Sequence, residues 1–331
     1  MLKKITLKLG GACNLSCINC HCEPSNYPLK DSTLNWLKDQ RVSQIFFSGG
    51  EPLLYMEDIR RTVEFLGSGI KYKLVTNGTL LTKELVDWFN ANNIAVFVSY
   101  DGANGTRDNS LAVPWELVAK LKHTGMVTVV TPGNMSFAKL ANDIGALKAQ
   151  YNLRNIKGEP ALRMFVFPHQ TAYSSDITIT KKHVTEYVEQ VCTQIDFLLH
   201  EYQGGAPLKG LIPLRRYLEL YFVEKKYQGC SCCNTASFTV TGSGEYLLCP
   251  YGHTIIGSIK EPLDVRKIEE HLPARCHSCG IKDICKNTCV ANITTHECDI
   301  VKQINRFINI RLHELGIFEQ VSKELAALAS L

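Results

Sequence analysis

Between residue 5 and about residue 168, six short apolar runs alternate with stretches of helical periodicity, and this alternation leaves few architectures open to the chain. The runs are Ile5-Thr6-Leu7-Lys8-Leu9, Ile45-Phe46-Phe47-Ser48, Tyr72-Lys73-Leu74-Val75, Ile94-Ala95-Val96-Phe97-Val98, Val127-Thr128-Val129-Val130 and Leu162-Arg163-Met164-Phe165-Val166-Phe167. Their length and composition predict strands. Helices are expected near residues 32–40, 56–67, 82–92, 115–124 and 135–151, with Asp31-Ser32 and Thr82 as start signals. Repeated strand and helix units imply a parallel sheet, whose functional loops leave the carboxyl ends of the strands. Four consecutive ends carry distinctive segments: a cysteine loop after the first strand, Gly49-Gly50-Glu51-Pro52, Thr76-Asn77-Gly78, and Ser99-Tyr100-Asp101-Gly102. All four point at one place.

The cysteine loop reads Gly11-Ala12-Cys13-Asn14-Leu15-Ser16-Cys17-Ile18-Asn19-Cys20-His21-Cys22. Its first three thiols, at x3 then x2 spacing, are one thiolate short of a closed tetrahedral site. Three thiolates can wrap one corner of a [4Fe-4S] cluster and leave the fourth iron free, whereas a structural metal site closes its coordination. An open iron implies chemistry.

This spacing resembles the cluster loop of the radical S-adenosylmethionine (SAM) superfamily, and Gly49-Gly50-Glu51-Pro52 stands where that superfamily carries its GGEP motif. The resemblance implies that Cys13, Cys17 and Cys20 hold a catalytic [4Fe-4S] cluster whose open iron chelates SAM. Reductive cleavage of SAM then gives a 5'-deoxyadenosyl radical that abstracts hydrogen. Gly49, Gly50 and Glu51 would bind the methionine amino group, while Asn77, Ser99 and Asp101 fall where the family contacts the SAM ribose and carboxylate. Asn77-Gly78 is also an ordinary turn dipeptide. Asn19 departs from the aromatic or aliphatic residue that the family usually places before the third cysteine. The implied fold is α/β, a partial (β/α)6 TIM barrel open on one side.

Past the barrel, residues 181–202 and 211–226 read as helices, and then the character changes. From Cys230 to Cys298, nine cysteines occur in 69 residues, with too few apolar residues for a core of their own. Metal is expected to supply the missing stability. The order Cys233-x10-Gly244-x4-Cys249, then Cys276-x2-Cys279-x5-Cys285-x3-Cys289 and last Cys298, resembles the SPASM extension of radical SAM enzymes, which usually holds two auxiliary [4Fe-4S] clusters. That resemblance assigns Cys276, Cys279, Cys285 and Cys298 to an outer cluster. Cys233, Cys249 and Cys289 go to an inner one, completed from just upstream by Cys230 in preference to Cys232. The competing reading is a pair of zinc knuckles, since x2 pairs also serve zinc. The expected division is a barrel over 1–215, a bridging helix over 216–229, the SPASM domain over 230–300 and a carboxyl-terminal helix over 301–331, read from an apolar face of Ile304, Phe307, Ile308 and Leu312. Cys192 reads as a buried, inert thiol, and Cys22 as a bystander.

Fourteen cysteines without a secretory apolar region argue for a reducing compartment, and the chain is read as cytoplasmic and oxygen-sensitive. No window holds the roughly 20 apolar residues of a membrane helix. A net charge of +4, not gathered into a basic run, argues against nucleic acid as partner.

In sulfatase-maturing members an acidic residue follows the cysteine equivalent to Cys249 and serves as base; here it is Pro250. The expectation therefore shifts to modification of a ribosomally made precursor peptide, by thioether or carbon–carbon crosslinking. Peptide epimerisation and maturation of a folded protein are the alternatives. Auxiliary clusters suit such an oxidation, because an electron must leave the product radical. The first strand begins within a few residues of Met1, so the reading expects no amino-terminal leader-recognition domain; a separate leader-recognition protein could serve. An external electron donor such as flavodoxin or ferredoxin completes the expected partners.

Overall fold

The computed structural model describes residues 3–154, 179–211, 237–249, 253–279 and 295–329, apart from 19, 21, 23, 24, 104, 106, 265, 272 and 273. It adds the isolated positions 165, 166, 214, 215, 218 and 222. Five parallel strands, β1 (Lys3–Lys8), β2 (Val42–Ser48), β3 (Lys71–Thr76), β4 (Ala95–Ser99) and β5 (Thr124–Val129), lie side by side in chain order. A two-residue β6 (Phe165–Val166) pairs parallel with β5 through Thr128↔Phe165 and Val129↔Val166. The helices between them are α1 (Asp31–Asp39), α2 (Met56–Leu66), α3 (Lys83–Ala91), α4 (Trp115–Val118) and α5 (Phe137–Gln150). This is the partial (β/α)6 barrel.

Alternation along the strands sorts the side chains. Ile5, Leu7, Ile45, Phe47, Leu74 and Val96 turn to the helices and form one core with Leu34, Leu37, Ile59, Val86 and Phe89. Local chemistry fixes where helices begin: the Thr82 hydroxyl accepts the Leu85 N–H at 3.3 Å, and the Ser136 hydroxyl accepts the Lys139 N–H at 3.3 Å. The fourth helix is much shorter than the periodicity predicts, because the chain leaves α4 at Ala119 and turns into β5 at Thr124, three residues ahead of the expected strand.

Beyond β1 the sheet continues rather than ending. The strand β7 (Ser237–Thr241) pairs parallel with β1 from Lys4↔Ser237 to Lys8↔Thr241, and β8 (Glu245–Leu247) and β9 (Ile255–Ser258) follow antiparallel. Phe238, Val240, Tyr246, Leu248 and Ile256 thereby join the barrel's own core. So the described start of the cysteine-rich region takes its apolar support from the barrel, which the sequence reading did not foresee. Two short helices follow, α7 (Arg266–Glu270) and α8 (Ala274–His277), and the helix expected at 211–226 falls mostly outside the described residues.

A long helix between β6 and β7 in sequence, α6 (Lys181–Gln203), packs in a second core against the last part of the chain. The single terminal helix expected from the apolar face is two helices, Thr295–Glu314 and Phe318–Ala329. Gly316, at φ 68°, makes the break: its N–H donates to the His313 carbonyl at 3.1 Å and the Ile317 N–H to Leu312 at 3.0 Å, the paired bonds of a Schellman terminus. Ile304, Ile308 and Leu312 are buried as the face predicts. Cys192 lies half-buried on the 181–203 helix with its thiol pushed up to about 11 by burial, in keeping with an inert role.

Candidate active site

The loop after β1 and the loop after β2 are joined through their backbones. Gly50 N–H donates to the Gly10 carbonyl at 3.1 Å and Glu51 N–H to the Ala12 carbonyl at 2.9 Å, while Ala12 N–H donates to the Tyr55 hydroxyl at 3.0 Å. This approach requires glycine. A Cβ on Gly50 would stand 2.3 Å from the carbonyl oxygens of both Gly11 and Ala12, far inside contact distance. Replacing Gly50 with alanine is expected to cost about 1–3 kcal/mol of overpacking, and to weaken SAM binding in calorimetric titration.

Cys13, Cys17 and Cys20 line one cavity of about 160 Å³ together with Gly49, Gly50, Glu51, Asn77, Ser99 and Arg107. Every site residue expected from the strand ends is therefore there, except Asp101, which sits behind the wall. Asp101 is buried, with its Oδ1 accepting the Val129 N–H at 2.9 Å and its Oδ2 paired to Arg107 at 3.3 Å. Its place is to hold Arg107, and Arg107 faces the cavity.

Glu51 is 1% exposed. Its Oε1 accepts the Leu53 N–H at 2.9 Å and the Thr76 hydroxyl at 2.7 Å, and its Oε2 accepts the Asn77 N–H at 2.7 Å. Burial pushes the carboxyl up, with the three donors pulling the other way. The carboxylate thus ties the end of β2 to the end of β3. It also fixes Asn77, whose Nδ2 lies 3.7 Å from the Cys13 sulfur and donates to Asn14 Oδ1 at 2.9 Å. Burial likewise raises the thiols of Cys13 and Cys17. The Cys20 thiol is lowered to about 6 by its hydrogen bond with Cys22, and Cys22 is pushed up in return. Cys22 also donates to the Gly49 carbonyl at 3.2 Å, so it is part of the loop's fastening.

The donor set fits a cluster better than a lone ion. Among the described residues, no three His, Cys, Asp or Glu side chains form a group that could hold one ion. A [4Fe-4S] cluster asks something else, since each thiolate takes a different iron and the sulfurs need only share a cavity. Of the expected auxiliary ligands, Cys249 is buried, and Cys276, Cys279 and Cys298 are partly buried. Cys230, Cys233, Cys285 and Cys289 lie outside the described residues, as does the rival Cys232.

Sequence reasoning passed over Asp108 and Tyr55. Asp108 accepts the Ser16 N–H at 2.9 Å, which pulls its carboxyl below the ordinary range. Neither Asp108 nor Tyr55 belongs to a spacing that marks chemistry.

Residues 7–135 match the radical SAM superfamily model. The AdoMet-dependent heme synthase of Methanosarcina barkeri is 34% identical over 120 residues, covering 33% of this chain and 34% of that protein. The chain spans only about a third of the length of the curated relatives it matches first. Among solved structures, anSMEcpe with bound AdoMet superposes with a TM-score of 0.64 at 17% identity, over 95% of this chain and 98% of that one. Streptococcus suis SuiB bound to precursor peptide SuiA gives 0.56 at 16%, over 88% and 72%. At such identities the superpositions speak for the fold, and the fold agrees with the matched domain. Among the described residues, no helix is long and apolar enough to cross a membrane. The part of the chain that matches the radical SAM superfamily model, residues 7–135, contains both the cysteine loop and the Gly49–Glu51 segment that wall the cavity.

Proposed function

We propose that the protein is a radical SAM enzyme that oxidatively crosslinks a ribosomally made peptide. The observation that carries the reading is the shared cavity wall of Cys13, Cys17, Cys20 and the Gly49–Glu51 segment, locked together by backbone hydrogen bonds. Cys13, Cys17 and Cys20 would hold the [4Fe-4S] cluster, and Gly49, Gly50 and Glu51 would receive the amino group of SAM. When bound, this pair supplies reductive sulfonium cleavage and a 5'-deoxyadenosyl radical for hydrogen abstraction.

The chain's own residues set the conditions for that chemistry. Glu51 is anchored by three donors, so the loops around the cavity are held before any ligand arrives. Arg107, aimed by Asp101 and largely screened from water, offers a fixed positive charge to an anionic ligand group. Asn77 and Ser99 add polar contacts from the ends of β3 and β4.

A peptide substrate is supported by the two matching folds, since anSMEcpe has been solved with Kp18Cys peptide and SuiB with precursor peptide SuiA. The choice of crosslinking over formylglycine formation rests on Pro250, where an acid would be needed as base. Cys276, Cys279, Cys285 and Cys298, with Cys230, Cys233, Cys249 and Cys289, are proposed to bind two auxiliary clusters that carry the product electron away. A flavodoxin or ferredoxin would supply the first electron, and a separate protein could present the leader.

The test is turnover of a short cysteine-rich or repeat-bearing peptide encoded beside this gene, followed by tandem mass spectrometry. The expected product has lost two hydrogen atoms and resists fragmentation between two linked residues. An unchanged mass with deuterium taken up from heavy water identifies an epimerase instead. A serine or cysteine converted to formylglycine would contradict the inference from Pro250.

A further inference from the structure

The cluster loop is held from two directions. One is the Gly49–Glu51 segment already described. The other comes from β4: after Ser99 the chain turns at Gly102, at φ 79°, and returns across the loop at Arg107 and Asp108. Asp108 makes two contacts there, 91 and 92 residues away in sequence. Its backbone N–H donates to the Cys17 sulfur at 3.3 Å, and its Oδ2 accepts the Ser16 N–H at 2.9 Å. Its Oδ1 accepts the Ser110 N–H at 2.9 Å, a local turn that fixes the carboxylate in place. The preceding residue is pinned too, by the Arg107–Asp101 ion pair.

We propose that Asp108 is a positioning residue for the cluster, clasping the loop through Ser16 so that its own backbone N–H is aimed at the Cys17 sulfur. The proposal rests on Cys17 being a cluster ligand. An N–H donated to a ligand sulfur stabilises the more negative, reduced cluster, so the contact raises the reduction potential; partners of this kind tune a metal site as well as orient it. The carboxylate gives the backbone contact its geometry, because its bond to the Ser16 N–H ties residue 108 to the loop one residue before Cys17. Asp108 touches neither substrate nor SAM in this account.

The experiment uses the full chain, purified and reconstituted without oxygen, as wild type, D108A and D108N. Paramagnetic resonance of the reduced protein, with and without SAM, picks out the cluster whose signal changes on adding SAM, and a redox titration of that signal gives its potential. D108A should lower the potential, alter the signal and slow 5'-deoxyadenosine formation by roughly tenfold to a hundredfold, the usual effect of losing such a partner. D108N keeps one side-chain oxygen for the Ser110 turn or for Ser16, so it should fall between the two and guards against a variant that merely fails to fold. A D108A protein with the wild-type potential, signal and rate overturns the proposal and leaves the cluster assignment standing. Wild-type protein that takes up no iron overturns that assignment, and the proposal with it.

Discussion

Replacing Cys13, Cys17 or Cys20 with alanine is expected to remove about four irons per chain and all 5'-deoxyadenosine formation, leaving about eight irons on the auxiliary cysteines. Of the loop's described thiols, three line the cavity; the fourth, Cys22, is hydrogen-bonded to the Cys20 thiol and to the Gly49 carbonyl. A cluster with two protein ligands has two exposed irons and cannot be kept. Serine variants are expected to behave nearly alike, because a hydroxyl is a far weaker, harder ligand for iron than a thiolate. Iron analysis, acid-labile sulfide and chromatography of the nucleoside product measure all of this on one preparation. The converse substitutions, Cys276 or Cys279 to alanine, should lower iron while SAM cleavage survives, and the peptide product should be lost.

Replacing Glu51 with alanine is expected to be the most destabilising single change in the barrel mouth. It strips the partner from three donors at once: the N–H groups of Leu53 and Asn77 and the hydroxyl of Thr76. Each buried donor left unpaired costs about 1–3 kcal/mol, so even with water re-entering the total is on the order of 4 kcal/mol. Against a typical total stability of about 5–15 kcal/mol that is a large fraction. Glutamine keeps one oxygen but turns an N–H2 toward a donor, so E51Q should lose about 2 kcal/mol. Urea denaturation of the apoprotein separates these values. Both variants should also lose SAM binding, because Asn77 and the Gly49–Gly50 segment are released together. A variant with wild-type stability that still loses SAM binding would assign Glu51 a purely ligand-binding role and contradict the bracing argued for it.

The strands and most helices were legible because each is specified locally. Ile5, Leu7, Ile45 and Phe47 alternate as a buried strand must, and Thr82 announces α3 through its own hydroxyl. The wall of the site was legible for a related reason: in a parallel sheet, adjacent strand ends meet, so Cys13, Gly50, Asn77 and Ser99 had to converge. What could not be read depends on contacts distant in sequence. Strand β7 has the same composition whether it founds a separate domain or docks on β1, and its register with Lys4–Lys8 is set 233 residues away. Asp101 sits at a strand end like the others, yet its side chain turns to Arg107, a choice made by β5 through the Val129 N–H. Asp108 lies in a loop with no periodicity at all, and only the fold brings it to Ser16. The break at Gly316 was readable in principle, since glycine favours the left-handed geometry of a helix terminus, but an unbroken apolar face across residues 300–329 outweighed one residue.

The measurement that bears most directly on this account is iron and sulfide content of anaerobically reconstituted protein, followed by SAM and a reductant with product analysis. About twelve irons, for three four-iron clusters, and 5'-deoxyadenosine formed at the expense of SAM are the predicted result. Zinc in place of iron, with SAM left intact, would contradict it and return the cysteines to a binding role.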